Sequence, residues 1–187
     1  YSIPLGQTFY VNSTFKETLV EGGIRIVLFI LYVYLISLMK DIKRTYMYHG
    51  AEHKCIDCIE KGRLLTVRDV MRSKRLHPRC GTSFMLYVMA ISCILFFFIN
   101  VDNPLLRLGL RLLLIPVIAG ISYEVLKLAG RSDNFLINLI SKPGLAIQKL
   151  TTKEPDDSMI EVAIQAVEAV FDWRAYEAEN FGTTESL

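Results

Sequence analysis

Histidine is scarce in this sequence, with three in 187 residues, and cysteine occurs only four times. Net charge is scarce too, a formal +2. Each shortage excludes something. So small a charge, with no basic helix carrying interleaved aromatics, excludes DNA as an expected partner. Cys93 lies inside an apolar run, while Cys55, Cys58 and Cys80 lie in a basic loop. That is no disulfide framework; it fits a reducing compartment or metal ligation. No cleavable signal peptide, internal repeat or low-complexity tract is visible. The sequence opens at Tyr1 instead of methionine, so a preceding natural segment is expected.

What is abundant is apolar sequence: 52% of residues, with a mean hydropathy of +0.34. This exceeds an ordinary soluble domain, and the excess sits in runs. Residues 24–39 are apolar except Arg25, and with Leu19 and Val20 they reach roughly the 20 residues a bilayer requires. Residues 83–101 carry no charge, and residues 105–126 return after an Asp102-Asn103-Pro104 turn. A buried core helix is the bland alternative for any one run; three in one chain favour spanning. The expectation is an all-α polytopic membrane protein with about three transmembrane helices, a cytoplasmic helical loop and a C-terminal amphipathic helix. Its segments are an extracytoplasmic 1–21 lacking a long element, a first span and flank at 22–44, a motif loop at 45–82, spans at 83–101 and 105–130, an interfacial 133–150 split by Pro143-Gly144, an amphipathic helix at 155–173 and a disordered tail at 174–187. Between Lys40 and Arg79 there are eleven Lys/Arg and five Asp/Glu. By the positive-inside rule that loop and the C-terminus are cytoplasmic.

The motif loop holds the chemistry. His49, Glu52 and His53 spell H-x-x-E-H, the inverted zincin pattern. A helix over 45–60, continuing from the first span and ended by Gly62, puts all three on one face. Two imidazoles can then bind one divalent ion, and the carboxylate between them can bind it or deprotonate water. The plain alternative is a pair of interfacial histidines. A third ligand is needed, and three residues offer one: His77, Cys80 at H-x-x-C spacing from it, and Glu124, the one acid inside a span. A bend after Arg44 would be required to bring Glu124 to the histidines. For Glu124 the plain alternative is a snorkelling or arginine-paired carboxylate. A rival site pairs Cys55-x-x-Cys58 with His77-x-x-Cys80 as a closed, structural Cys₃His set. Cys80 as a nucleophile activated by His77 or Arg79 is a weaker reading. Thr66 is placed to cap a short helix over 67–75, with Asp69 three residues on. A final helix carries an apolar stripe of Ile160, Ala163, Ile164, Val167, Val170 and Phe171, which reads as a docking face.

Four motifs in order, Tyr48–Lys54, His77–Phe84, Pro116–Glu124 and Leu150–Asp157, resemble the YqhQ family, a bacterial membrane family of unknown function often labelled "predicted metal-dependent enzyme". The resemblance implies membership but no substrate. Members of that family are longer, with a Gly-rich segment before the first span, and their core motif excludes Cys55 and Cys58. The chemical expectation is a membrane metalloenzyme, a peptidase-like hydrolase. His49 and His53 bind Zn²⁺ or a similar divalent ion with His77, Cys80 or Glu124; Glu52 is general base; Lys54 or Arg79 stabilises developing negative charge. Its partners are the lipid bilayer and a membrane-protein or peptide substrate, with a lipid head group as an alternative. A second expectation is a non-enzymatic scaffold or accessory subunit of a membrane assembly such as the insertion machinery, its basic loop touching other subunits, anionic lipid or ribosomal RNA.

Overall fold

The computed structural model describes residues 5–99, 101, 103–131 and 134–182, with side chains from Leu19 onward. Among the described residues there are eight helices and no strand: α1 (Leu5–Ser37), α2 (Lys40–Glu60), α3 (Val67–Arg72), α4 (Gly81–Phe97), α5 (Pro104–Ala129), α6 (Phe135–Thr151), α7 (Asp157–Val170) and α8 (Trp173–Phe181). They form two compact units, one running up to Tyr32 and again over Pro78–Gly144, the other over Val33–His77 and from Leu145 onward.

The first unit is apolar outside as well as within. Two helical stretches, Leu19–Ser37 and Pro104–Ala129, are long and apolar enough to cross a membrane, and only 11% of the most apolar 18 residues of each is buried. The third expected span falls short of that length, because α4 has 17 residues. It packs on α5, which starts at a capped turn where Asn103 accepts from the Leu105 and Leu106 amides. The structure corrects the N-terminal reading: α1 already begins at Leu5, and Gly6 inside it costs only about 1 kcal/mol against alanine, which a helix of 33 residues tolerates. It also corrects the expected split at Pro143-Gly144. That proline lies inside α6, which runs unbroken. The lost amide is tolerated because Gly144 lets the helix close on Ser83, whose Oγ would lie 2.6 Å from a Cβ at that position. A proline interior to a helix costs about 3 kcal/mol, which such packing must offset.

The second unit has a small core of Ala51, Cys55, Cys58, Ile59, Leu65, Val70, Ile160, Ala163 and Trp173. It is built by α2, α3 and α7. The expected continuous helix from the first span is broken here. α1 stops at Ser37, whose hydroxyl donates to the Tyr34 carbonyl at 2.7 Å, and Met39 is extended before α2 begins at Lys40. The bend thus comes before the basic flank, not after Arg44. Thr66 caps α3 as expected, accepting from the Asp69 amide at 3.3 Å. The helix is shorter than expected, ending at Arg72. The α7 stripe buries Ile160 and Ala163, but its end does not dock: Val170 is 85% exposed. Residues 174–181, expected to be disordered, form α8, anchored by buried Trp173 and closed by Gly182 in the left-handed region. The rest of the expected tail lies outside the described residues.

Asp156 caps α7 by accepting from the Ser158 hydroxyl at 2.6 Å and the Met159 amide at 2.9 Å. These bonds, the hydroxyl first, hold its carboxyl below the ordinary aspartate value of 3.8. A depressed folded pKa means that the cap's contribution is present above that value and lost as pH falls below it. Helicity measured by circular dichroism from about pH 5 to about pH 2 should show this loss. Asp156→Asn keeps a good capping side chain, so the variant should lack that part of the pH dependence. Identical curves for the two proteins would contradict the assignment.

Candidate metal centre

α2 places His49 and His53 one turn apart, with ring centroids 4.4 Å apart and planes at 70°. Their ligand nitrogens lie within 4.8 Å of each other, so the pair could hold a metal ion. Each ring is fixed through Nδ1. His49 Nδ1 lies 2.9 Å from the Thr151 carbonyl, and His53 Nδ1 lies 2.7 Å from the Arg75 carbonyl. A carbonyl oxygen only accepts, so each Nδ1 carries a proton, and in the neutral ring the lone pair lies on Nε2. That is how metal-binding histidines are oriented by outer partners. His53 is 4% exposed, and His49 is half-buried. Glu52, between them on the helix, is exposed.

The two carbonyls are themselves held. The Arg75 guanidinium donates to Glu154 at 2.8 Å. Lys54, 5% exposed, donates to the Met71 carbonyl at 2.7 Å and pairs with the same Glu154 at 3.0 Å. Thr151 belongs to a strap that returns along α2: the Lys153 amide donates to the Tyr46 carbonyl at 2.9 Å. The strap lies so close that a Cβ on Gly50 would sit well inside 3.0 Å of the Lys153 carbonyl oxygen. Glycine is required there by contact, not by its backbone angle.

The remaining expected site residues divide. The His77 ring centroid lies 6.1 Å from that of His53, but its Nε2 is bonded to Glu60 at 2.8 Å. Its backbone is gripped at both ends by buried Gln148, which accepts from the His77 amide at 2.9 Å and donates to its carbonyl at 2.6 Å. Lys54, expected to stabilise developing charge, has its Nζ on the Met71 carbonyl and Glu154. Cys80 belongs to the first unit, where it is buried at the start of α4 with Sγ 3.3 Å from Thr82 Oγ1. Arg79 lies across Gly130 in the same unit. Glu124, also there, is exposed and 3.6 Å from Lys127, a lysine-paired carboxylate.

The rival Cys₃His set is not built. Cys55 and Cys58 are fully buried core residues. Among the described residues they join no cluster of three ligand atoms. Loss of solvent, with Cys58 and Glu52 nearby, pushes the Cys55 thiol up to about 12, and burial raises Cys58 as well. Sequence reasoning singled out neither Glu60 nor Gln148. Glu154 and Thr151 carried a signal, since both fall in the last of the four motifs.

An all-helical protein with two bilayer-length apolar helices and a carbonyl-oriented histidine pair is the class these features define. The chain belongs to the family described as "Protein of unknown function (DUF1385)", which matches residues 2–173. It is 39% identical over 162 residues to "Uncharacterized protein YqhQ" of Bacillus subtilis (strain 168), an alignment covering 86% of this chain and 51% of that relative. The chain therefore spans about half the relative's length. No solved structure matches.

Proposed function

We propose that this chain is a multi-pass membrane metalloprotein whose His49–His53 pair binds a divalent cation, zinc or one of similar ligand preference, in a hydrolase of the bacterial plasma membrane. The observation carrying the metal reading is the pair of Nδ1 bonds to backbone carbonyls, which presents both Nε2 lone pairs. The third ligand is Cys80. It follows His77 by three residues, so chain length alone holds its Cα within about 11 Å of that of His77, whereas the His77 Nε2 is taken by Glu60. A cation held there would supply Lewis acidity. Glu52, exposed beside the histidines, would be the general base. The substrate class is a peptide bond at the membrane surface. Spanning is supported by side chains such as Leu113, 71% exposed, and Leu105, 79% exposed, which suit lipid better than water. The positive charge of the motif loop supports a cytoplasmic site.

A second reading, a membrane scaffold, draws on the structural use of Lys54 and His77. Metal content of detergent-purified protein, measured by mass spectrometry without chelators, separates the two. The enzyme reading expects about one equivalent, lost with His49→Ala and with Cys80→Ser, kept with Cys58→Ser and with Glu52→Gln. Glu52→Gln should then abolish function in a complemented deletion strain. Absence of metal from every sample, or full function in the Glu52→Gln strain, would overturn it in favour of the scaffold.

A further inference from the structure

An apolar groove of about 560 Å³ opens between α1 and α4, walled by Leu19, Ile26, Ala90, Ile94 and Phe97. That falls in the range of small-molecule pockets, roughly 300–1,000 Å³. α1 approaches α4 closely on its edge, where a Cβ on Gly22 would meet Cys93 Sγ at 2.8 Å. Gly22 and Cys93 also border a polar notch that holds Glu21, Arg25 and Arg111. The groove and the notch therefore border the same Gly22–Cys93 contact.

The notch is cationic and incompletely bonded. The Arg111 guanidinium stands 5.1 Å over the Phe96 ring, and its buried Nε has no hydrogen-bond partner among the described residues. Arg25 is paired with Glu21. Among the described residues, two guanidiniums face one carboxylate there, an excess of positive charge beside an apolar trough. An arginine inside an apolar helix is a functional pointer by default, and its planar fork suits phosphate oxygens.

We propose that this groove binds one acyl chain of an anionic phospholipid, with its phosphate on Arg111. A partner helix would fill the trough but would balance the charge of the notch only if it also carried an acid, and a zwitterionic lipid would offer no net charge to the notch. The proposal rests on the membrane reading of the first unit and not on the metal.

Purified protein in neutral detergent, titrated with dioleoyl phosphatidylglycerol and separately with dioleoyl phosphatidylcholine, tests it by native mass spectrometry. One phosphatidylglycerol should be retained, roughly ten-fold more tightly than phosphatidylcholine. Glycerol phosphate alone should not bind. Arg111→Gln should erase the preference, and Arg111→Lys should keep most of it. Gly23 also lines the groove, and a Cβ there meets nothing within 4 Å, so Gly23→Leu should fill the trough and remove both lipids. Equal retention of the two lipids by wild type, retention unchanged in Gly23→Leu, or Cys93 shielded from a maleimide by a co-purifying protein after delipidation would each overturn the proposal. Release of the chain from membranes by alkaline carbonate alone would instead defeat the membrane reading beneath it.

Discussion

Replacement of Gly50 by alanine is expected to destabilise the second unit by about 3 kcal/mol or more, the upper part of the range for forcing one extra methyl into a packed contact. The obstacle is the Lys153 carbonyl, with its oxygen inside 3.0 Å and its carbon 3.2 Å from the added Cβ. Both partners are backbone, one in the middle of α2 and one in the strap, so no side chain can rotate out of the way. The strap must lift. Lifting it breaks the bond from the Lys153 amide to Tyr46 and moves the Thr151 carbonyl off His49 Nδ1. The same methyl should therefore lower metal occupancy, because an outer partner of a ligand is worth about 10–100-fold in affinity. Alanine is a better helix former than glycine, so without the strap the variant would be stabilised. Gly81→Ala is the control: a Cβ there meets nothing within 4 Å. Denaturant midpoints for the two variants against wild type check the point. A Gly50→Ala midpoint at or above that of wild type would show that the strap does not lie on α2.

Local chemistry explains which parts of this arrangement could be read in the sequence. His49 and His53 fall one turn apart in any helix, so their pairing needs only that α2 be helical. Thr66 with Asp69 is likewise a short-range signal, and the structure uses it. The failures are of another kind. Nothing in the run Leu35-Ile36-Ser37-Leu38-Met39 marks a break, since the sequence stays apolar to its end; the turn follows from how the chain leaves α1. Cys55 and Cys58 carry a metal-like spacing but lie on the face of α2 that packs against Val70, Ile160 and Trp173, and packing decides their role. The partners of the histidine rings are backbone carbonyls, at 102 residues' separation for His49 and 22 for His53. A carbonyl has no residue identity, so its position could not be read from composition or spacing. Glu154 was visible only as part of a motif, and its use as a shared acceptor for Lys54 and Arg75 becomes apparent only in the fold.

Gln148 is the deepest of these unread residues, and Gln148→Glu should turn a pH-indifferent clamp into a pH-dependent one. The wild-type amide is fully buried and matches the His77 backbone on both sides, with oxygen facing the amide and nitrogen facing the carbonyl. Glutamate has nearly the same shape. Ionised, it can still accept from the His77 amide, but its second oxygen then faces the carbonyl with no proton between them, and a charge is buried. Protonated, it donates as the amide did. Folding therefore favours the protonated form and raises the folded-state pKa above the ordinary glutamate value of about 4.3. A raised folded pKa means full stability below that value and progressive loss as pH rises towards the folded value. A shift of about 3 units, within the range for buried carboxyls, corresponds to about 4 kcal/mol lost by neutral pH. Gln148→Leu should also be destabilised, since it leaves two buried backbone groups unpaired at about 1–3 kcal/mol each, but with no added slope against pH. Arg75, whose carbonyl orients His53, lies two residues from this clamp, so metal affinity in Gln148→Glu should fall along with stability as pH rises. Denaturation midpoints taken from about pH 4 to about pH 8, as differences from wild type, decide it. A Gln148→Glu profile parallel to that of wild type would mean that the side chain reaches solvent and that the clamp on His77 is not closed.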